Sequence, residues 1–292
     1  MIRSVFFFLL LLIGQSIVAQ QVYPLWNQND IPFYKVNKLV EYEEEAWGTK
    51  CVIDITEPTL TIYPAQNQSS NKAVVIIPGG GYEMVAMYHE GYEVAEKLAA
   101  AGITAAVLKY RLPNTASSDQ PHMVPLSDGR RAIRLLREKV KEQSLNIDKV
   151  GVLGFSAGSH LATVLGLWKS KNQDENPDFS ALIYGVTILS DSNLEWLQRT
   201  LYHRQMTEQE KQQNRLLELI DEHTPPAFLV HAIDDDVCLI DESTRYANQL
   251  KANNIPYEAH YFSEGGHGFG LGRKEDGTDQ WLSLFINWLH RN

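Results

Sequence analysis

The chain has 292 residues, of which 44% are hydrophobic, and this suits one large or two small globular domains with a sizeable core. Its net charge of -10 argues against nucleic acid as a partner, because binding phosphates needs a basic face. The sequence also has no basic amphipathic stretch of the kind that binds membrane surfaces.

The first nineteen residues are typical of a secretory signal peptide. Arg3 precedes an apolar run over residues 6–13, and small residues follow up to Ala19. We expect cleavage after Ala19, a secreted or periplasmic protein and a mature chain of residues 20–292. A membrane anchor is the alternative, but the apolar run is shorter than the ~20 residues that a spanning helix needs.

Beyond this leader, strand patterns alternate with helix patterns. Two short strands flank a Glu-Pro turn and predict an antiparallel hairpin at a sheet edge, at residues 52–56 and 60–63. Further strands are predicted at residues 73–77, 103–108, 149–153, 182–189, 228–232 and 257–262, and helices at 92–101, 126–140, 159–168, 243–252 and 280–290. The alternation predicts an α/β fold whose mostly parallel central sheet has helices on both faces. Functional side chains should lie at the carboxyl ends of its strands.

One polar, charged segment, residues 193–221, interrupts the alternation. It predicts a small helical insertion over the strand ends, which is either a solvated surface helix or a cap that shapes the substrate cleft. Because the sequence has neither an internal repeat nor a low-complexity linker, we expect residues 20–292 to form a single domain.

The segment Gly154-Phe155-Ser156-Ala157-Gly158 joins a predicted buried strand to a predicted helix. In that context Gly-x-Ser-x-Gly is the nucleophile elbow, a tight turn that exposes a serine hydroxyl above the sheet. A side chain at 154 or 158 would clash where strand and helix crowd the turn. The pattern predicts Ser156 as a nucleophile.

A serine nucleophile needs a base, and the base needs a third group to orient it. His267 follows the last predicted strand among glycines, and of the nine histidines it fits the base best. His231 closes a strand and is interpreted as a core histidine. For the acid, pattern alone does not separate three consecutive aspartates, 234–236, and Asp191 after an earlier strand is a fourth candidate.

A glycine run, residues 79–81, follows the predicted strand at 73–77. Acyl transfer needs backbone N–H donors aimed at the developing oxyanion. We therefore nominate the amides of Gly80, Gly81 and Ala157 as the oxyanion hole. The alternative, a phosphate-cradling turn, lacks the Gly-x-Gly-x-x-Gly spacing.

Two cysteines remain in the mature chain, Cys51 and Cys238. A disulfide is possible in an exported protein, but sequence alone does not decide whether these two pair. Neither has metal-ligand spacing, and no metal or cofactor site is expected.

Several segments together resemble the α/β-hydrolase superfamily and, within it, secreted bacterial acetylxylan esterases. They are residues 77–82, 110–113, 128–132, 154–162, 231–235 and 265–269. In that family the acid is the second residue of the Asp-Asp pair after His-Ala, which favours Asp235. Arg111 and Asp128 also match, and we interpret them as a strand-end cation and a helix N-cap. The chain departs from the pattern at Val237-Cys238-Leu239, which lacks a proline, and at Pro78, where related lipases carry histidine.

The resemblance implies a serine carboxylesterase that deacetylates polysaccharide such as xylan through an acyl-enzyme, with Ser156, His267 and Asp235 as its catalytic residues. It implies no metal or organic cofactor, and an acetylated polysaccharide or oligosaccharide as the substrate. A feruloyl or other short-chain carboxylesterase and an exopeptidase would use the same machinery. An inactive glycan-binding relative would require the loss of a triad member, and the sequence retains all three.

Overall fold

A computed structural model describes residues 20–292; the predicted signal peptide, residues 1–19, lies outside the described residues. The strands are β1 (Gln21–Pro24), β2 (Tyr42–Ala46), β3 (Thr49–Ile53), β4 (Thr59–Tyr63), β5 (Lys72–Ile77), β6 (Thr104–Lys109), β7 (Lys149–Phe155), β8 (Ser180–Ile183), β9 (Ala227–Ala232) and β10 (Tyr257–Phe262). The α-helices are α1 (Glu93–Ala100), α2 (Val124–Glu142), α3 (Ala157–Leu167), α4 (Asp191–Leu197), α5 (Glu208–Gln213), α6 (Asp241–Ala252) and α7 (Trp281–Arg291). Within residues 20–292, no helix combines the length and the apolar character needed to cross a membrane.

Eight strands form one central sheet in the order β1-β4-β6-β5-β7-β8-β9-β10, with helices on both faces. The six strands from β6 to β10 in this order run parallel, and β4 is antiparallel to both of its neighbours. Strands β5 to β9 are buried along nearly their whole length, as expected for parallel strands covered on both faces. The predicted α/β fold is confirmed.

The strand order reverses at β5, which lies between β6 and β7. In open parallel sheets, ligands bind outside the carboxyl ends of the strands at such a reversal. The glycine run leaves the carboxyl end of β5, and Ser156 leaves the carboxyl end of β7. The topology therefore brings these two segments together at the carboxyl ends of the central strands.

The predicted hairpin between residues 52–56 and 60–63 is wrong. β3 pairs with β2 in a separate two-stranded sheet, whereas β4 pairs with β1 and β6 inside the main sheet. β4 does not lie at an edge, because β1 and β6 flank it, and four of its five residues are buried. β2 is rich in glutamate and exposed, and its composition therefore gave no strand signal.

Two further predictions need correction. The strand expected at 182–189 ends at Ile183, because Tyr184 turns into the left-handed region with φ +38°. Asp128 is not a helix N-cap, since α2 begins four residues earlier at Val124. Asp128 is instead completely buried and forms a bidentate ion pair with Arg111. The Nε and Nη2 atoms of Arg111 lie 3.0 and 2.6 Å from the carboxylate oxygens of Asp128.

Residues 193–221 are largely helical and connect β8 to β9. They include most of α4 and the whole of α5, with a π-helical turn at Gln198–Tyr202 between them. Thr207 and Glu210 form a capping box at the start of α5. One side chain of this segment, Trp196, reaches the glycine run, as described below.

Candidate active site

Ser156 stands at the sharp turn between β7 and α3. Its backbone has φ +49° and ψ -120°, a conformation that L residues rarely adopt. Such a conformation costs on the order of 1–3 kcal/mol and persists only where the surrounding structure enforces it. The turn therefore holds the serine side chain in a fixed position at the edge of the sheet.

The two glycines of the elbow are required by close contacts. A Cβ atom at Gly154 would lie 2.3 Å from the carbonyl oxygen of Gly158. A Cβ atom at Gly158 would lie 2.1 Å from the carbonyl oxygen of Ile77 at the end of β5. Only glycine at both positions lets α3 approach the two strands this closely.

Three side chains that are far apart in sequence form one hydrogen-bonded chain. The Oγ atom of Ser156 lies 2.8 Å from Nε2 of His267. The Nδ1 atom of the same imidazole lies 2.8 Å from Oδ2 of Asp235. His267 follows β10 and Asp235 follows β9, so each group leaves the carboxyl end of a parallel strand.

Asp235 is only 3% exposed, and both of its carboxylate oxygens have hydrogen-bond partners. Oδ1 accepts the amide N–H groups of Val237 and Cys238, at 2.9 and 2.8 Å. Burial by itself would raise the pKa of this carboxyl group, but hydrogen bonds from His231 and His267 and the amide of Cys238 outweigh it. The net pKa lies well below the ordinary value, so Asp235 is a carboxylate that can hold the imidazole in one orientation.

The other candidate acids do not occupy this position. Asp234 is exposed and accepts the amide N–H of Gly266 at 2.8 Å, which fixes the loop before His267. Asp236 and Asp191 are exposed, and Asp191 opens α4. Of the four aspartates considered, the structure brings Asp235 to the imidazole.

His231 is completely buried and both of its ring nitrogens have partners, as expected for a core histidine. Nδ1 lies 2.7 Å from Oγ of Ser243, and Nε2 lies 2.7 Å from the carbonyl oxygen of Cys238. Nε2 also lies 3.3 Å from Oδ2 of Asp235. This histidine therefore ties α6 to the loop that carries the acid, a role that the sequence alone did not reveal.

The glycine run turns sharply at the carboxyl end of β5. Gly80 and Gly81 have φ +123° and +67°, and a Cβ atom at Gly80 would lie 2.2 Å from the carbonyl oxygen of Met84. Among residues 20–292, the amides of Gly80, Gly81 and Ala157 have no hydrogen-bond acceptor. These three amides are the ones nominated for the oxyanion hole, and they remain free to donate to a ligand.

Three side chains hold the glycine run in place, two of them buried and that of Trp196 half-buried. The hydroxyl of Tyr110 donates to the carbonyl oxygen of Pro78 at 3.1 Å, and Nε1 of Trp196 donates to that of Gly81 at 3.2 Å. The carboxylate of Glu90 accepts the amide N–H of Gly79 at 2.7 Å. The run is therefore anchored from β6, from the helical insertion and from the turn that precedes α1.

Glu90 also links the glycine run to the loop of the predicted base. It is 3% exposed, and its second oxygen accepts the hydroxyl of Tyr184 at 2.8 Å. The oxygen of that hydroxyl accepts the amide N–H of Gly270 at 3.0 Å, and the Tyr184 ring lies edge-on to His267 with centroids 5.0 Å apart. Sequence reasoning missed this link because its members, from Gly79 to Gly270, are up to 191 residues apart and belong to no local motif.

A cavity of about 360 Å³ opens at this edge of the sheet. Its wall contains Ser156, His267 and the two glycines Gly80 and Gly81. The remaining lining residues are Trp47, Ala86, His89, Glu90, Val237 and Gly268. In the described part of the chain, no group of three or more His, Cys, Asp or Glu side chains is placed to hold a metal ion.

The two cysteines, whose pairing the sequence left open, are both free and both buried. Burial, together with nearby carboxylates, raises the pKa of Cys51 to about 11. Burial also raises the pKa of Cys238. Both are therefore inert thiols of the interior.

Two curated relatives match 75% of this chain. One, an acetylxylan esterase of Xylanibacter ruminicola, is 31% identical over 228 residues, and the match covers 45% of its length. The other, endo-1,4-beta-xylanase B of Butyrivibrio fibrisolvens, is 29% identical over 227 residues, and the match covers 35% of its length. The chain thus spans less than half the length of these two relatives.

A solved structure matches over nearly the whole chain. It is an acetyl ester-xyloside bifunctional hydrolase from Caldicellulosiruptor lactoaceticus, 33% identical, with a TM-score of 0.76 and coverage of 93% of this chain and 96% of that one. The BD-FAE family matches residues 60–250, which is more than half of the chain. The fold, the elbow and these matches together show that the chain is an α/β-hydrolase of the BD-FAE family.

Proposed function

We propose that this protein is a serine carboxylesterase that removes acetyl groups from polysaccharide. The observation that carries the proposal is the hydrogen-bonded chain from Ser156 through His267 to Asp235, with 2.8 Å at both steps. This is the arrangement in which a serine hydroxyl becomes a nucleophile, because the imidazole accepts its proton during attack.

In the proposed mechanism, Oγ of Ser156 attacks the ester carbonyl while Nε2 of His267 takes the hydroxyl proton. The carbonyl oxygen becomes an oxyanion and accepts hydrogen bonds from the amides of Gly80, Gly81 and Ala157. His267 then donates the proton to the ester oxygen of the sugar as the bond from that oxygen to the carbonyl carbon breaks. The sugar leaves as an alcohol, and an acetyl group remains on Ser156. Water, deprotonated by the same imidazole, then adds to the acetyl carbonyl. The bond to Oγ of Ser156 breaks as His267 returns the proton to that oxygen, and acetate is released. Asp235 holds the imidazole in the required tautomer and stabilises its cation.

The substrate class rests on the relatives and on the cavity. An acetylxylan esterase, a xylanase and an acetyl ester-xyloside hydrolase are among the matched proteins. The cavity of about 360 Å³ lies in the range that holds ligands of drug-like size, which is larger than an acetyl group. The space leaves room for part of the sugar that carries the ester.

We further propose that the protein is exported and that residues 1–19 are removed. The support is the arrangement of Arg3, the apolar run and the small residues before Ala19. Expression of the full chain in a Gram-negative host, followed by mass spectrometry of the product, tests this. A product that begins at Gln20 supports export, and a cytoplasmic product that retains residues 1–19 contradicts it.

Acetate release from acetylated xylan and from p-nitrophenyl acetate tests the activity. Ser156→Ala should abolish both, and a fluorophosphonate probe should label the wild-type chain at Ser156 but not the variant.

Asp235→Asn should lower kcat by several orders of magnitude, because asparagine favours the wrong imidazole tautomer. Asp234→Asn, which changes the exposed neighbour, should have a far smaller effect. Equal rates for wild type and Ser156→Ala would refute the mechanism, and faster release of ferulate than of acetate would refute the proposed acyl group.

A further inference from the structure

Trp47 is a tryptophan whose position the fold does not explain. The chain has six tryptophans, and the other five are buried or half-buried. The side chain of Trp47 is 72% exposed. Within residues 20–292, its indole takes part in no aromatic pair, and its Nε1 atom donates no hydrogen bond to the protein. Packing therefore gives no reason for an indole here.

The backbone at this position also disfavours tryptophan. Trp47 and Gly48 form the two-residue turn between β2 and β3, with φ +52° and +74°. A turn with two positive φ angles favours Asn-Gly, Asp-Gly or Gly-Gly, and a bulky residue in the first position is an outlier. Neither local conformation nor packing within residues 20–292 accounts for an indole at this position, whereas contact with a bound ligand would.

Trp47 lies on the wall of the cavity that contains Ser156 and His267. The base of its hairpin is fixed to the chain that follows the glycine run, because Val52 and Val85 exchange two backbone hydrogen bonds of 2.9 Å. The indole is thus presented to solvent at the rim of the site from a hairpin that is anchored at its other end.

We propose that Trp47 is a stacking platform for a sugar residue of the substrate, an inference that rests on the proposed function. A pyranose ring has an apolar face of C–H groups, which an exposed indole can cover while the sugar hydroxyls stay in water. The strand β2, which leads into this turn, carries three exposed glutamates, Glu43, Glu44 and Glu45, of which only Glu43 is paired with a cation of the described chain, that of Lys50 at 3.6 Å. Their charge disfavours a polyanionic glycan, so the platform fits a neutral one such as a xylo-oligosaccharide.

The variant that tests the platform best is Trp47→Asn. Asparagine followed by glycine suits the turn better than tryptophan does, so the variant should keep or raise the melting temperature while it removes the indole. We expect kcat/KM for an acetylated xylo-oligosaccharide to fall about tenfold, mainly through KM, since an aromatic contact of this kind is worth roughly one factor of ten. With ethyl acetate, an ester without a sugar, kcat/KM should stay within about twofold.

Two further variants sharpen the comparison. Trp47→Phe retains an aromatic face and should restore most of the rate with the oligosaccharide. Tyr34→Ala removes another exposed aromatic residue, which is 51% exposed and does not line the cavity, and should leave both substrates unaffected. An equal fall with both substrates in Trp47→Asn, or no fall with either, would overturn the platform.

A binding measurement separates this inference from the proposed function. In the Ser156→Ala background, titration with unacetylated xylotetraose should change the tryptophan fluorescence, and the additional change Trp47→Asn should remove that signal. If the wild-type enzyme hydrolyses both esters but the Ser156→Ala protein shows no such signal, the platform is overturned and the esterase proposal stays intact. A wild-type enzyme that hydrolyses ethyl acetate but no acetylated oligosaccharide would overturn the substrate class as well.

Discussion

Replacing Glu90 by glutamine tests whether the buried link between the two loops sets the geometry of catalysis. The two carboxylate oxygens of Glu90 accept one N–H, from Gly79 at 2.7 Å, and one O–H, from Tyr184 at 2.8 Å. Glutamine has nearly the same shape but only one acceptor oxygen, and its NH₂ group is a donor. Glu90→Gln therefore leaves one buried donor without an acceptor in either orientation of the amide.

The size of the effect follows from this geometry. A buried donor that loses its acceptor costs about 1–3 kcal/mol. For a chain of this size that loss corresponds to a fall in melting temperature of roughly 2–10 °C. Complete loss of one oxyanion-hole donor costs about 10²–10³ in kcat. Because Glu90 acts on the amide that precedes Gly80 rather than on the oxyanion, we expect a smaller loss of about 10- to 100-fold in kcat, with KM little changed.

Steady-state kinetics with p-nitrophenyl acetate and thermal unfolding of the same samples measure both effects. The matched control is Glu242→Gln. Glu242 is also buried: its Oε2 accepts the amides of Thr187 and Ile188, at 2.6 and 2.7 Å, and its Oε1 accepts the side-chain amide of Asn193 at 2.7 Å. It does not line the cavity. The control should lose a similar amount of stability and retain kcat. If Glu90→Gln loses stability but keeps the wild-type kcat, Glu90 has no positioning role.

Three other predictions concern stability and the thiols. Burial lowers the pKa of His160 from 6.5 to about 4. Between pH 6.5 and pH 4 the unfolded chain therefore binds a proton at His160 that the folded chain does not bind, and the free energy of unfolding falls as the pH drops through this range. Each pKa unit is worth about 1.36 kcal/mol, so this loss is roughly 3 kcal/mol, and urea unfolding of His160→Gln should show a flatter pH dependence over this range than wild type. Arg111→Met leaves the buried Asp128 carboxylate without its partner and should cost about 3–5 kcal/mol in urea unfolding, and a loss below 1 kcal/mol would contradict the buried pair. Ellman's reagent at pH 8 should detect no thiol in the native protein and two in denaturant, and a rapid native reaction would contradict the burial of Cys51 and Cys238.

The parts of the site that the sequence predicted are those with a local signal. Gly154, Ser156 and Gly158 stand in one pentapeptide, and their spacing alone indicates a strand-to-helix turn. His267 was singled out because it lies among glycines directly after a strand. Such signals depend on a few neighbouring residues and on strand boundaries, which hydrophobic patterns define well in a buried parallel sheet.

The parts that the sequence did not predict depend on contacts between distant segments. Aspartate is a residue type common at helix N-caps, which is why the sequence suggested that role for Asp128. Its partner Arg111 follows the end of β6, and only the folded chain brings the two side chains together. Glu90 and Tyr184 meet across 94 positions of the chain. The strand β2 was missed because its sequence of glutamates suits a solvated loop equally well, and pairing with β3 decides the matter.

The site is assembled by topology and then fixed by buried polar contacts, and these two steps make different demands on the sequence. The reversal of strand order at β5 places the glycine run beside Ser156, and the parallel strands β9 and β10 place Asp235 beside His267. That placement needs only strands of the right order and length. The glycine amides and the imidazole must also be held to a fraction of an ångström, and strand order does not supply this precision. Side chains such as Glu90, whose carboxylate joins the glycine run to Tyr184, do so, because each contact fixes one loop against another through a short hydrogen bond between buried groups.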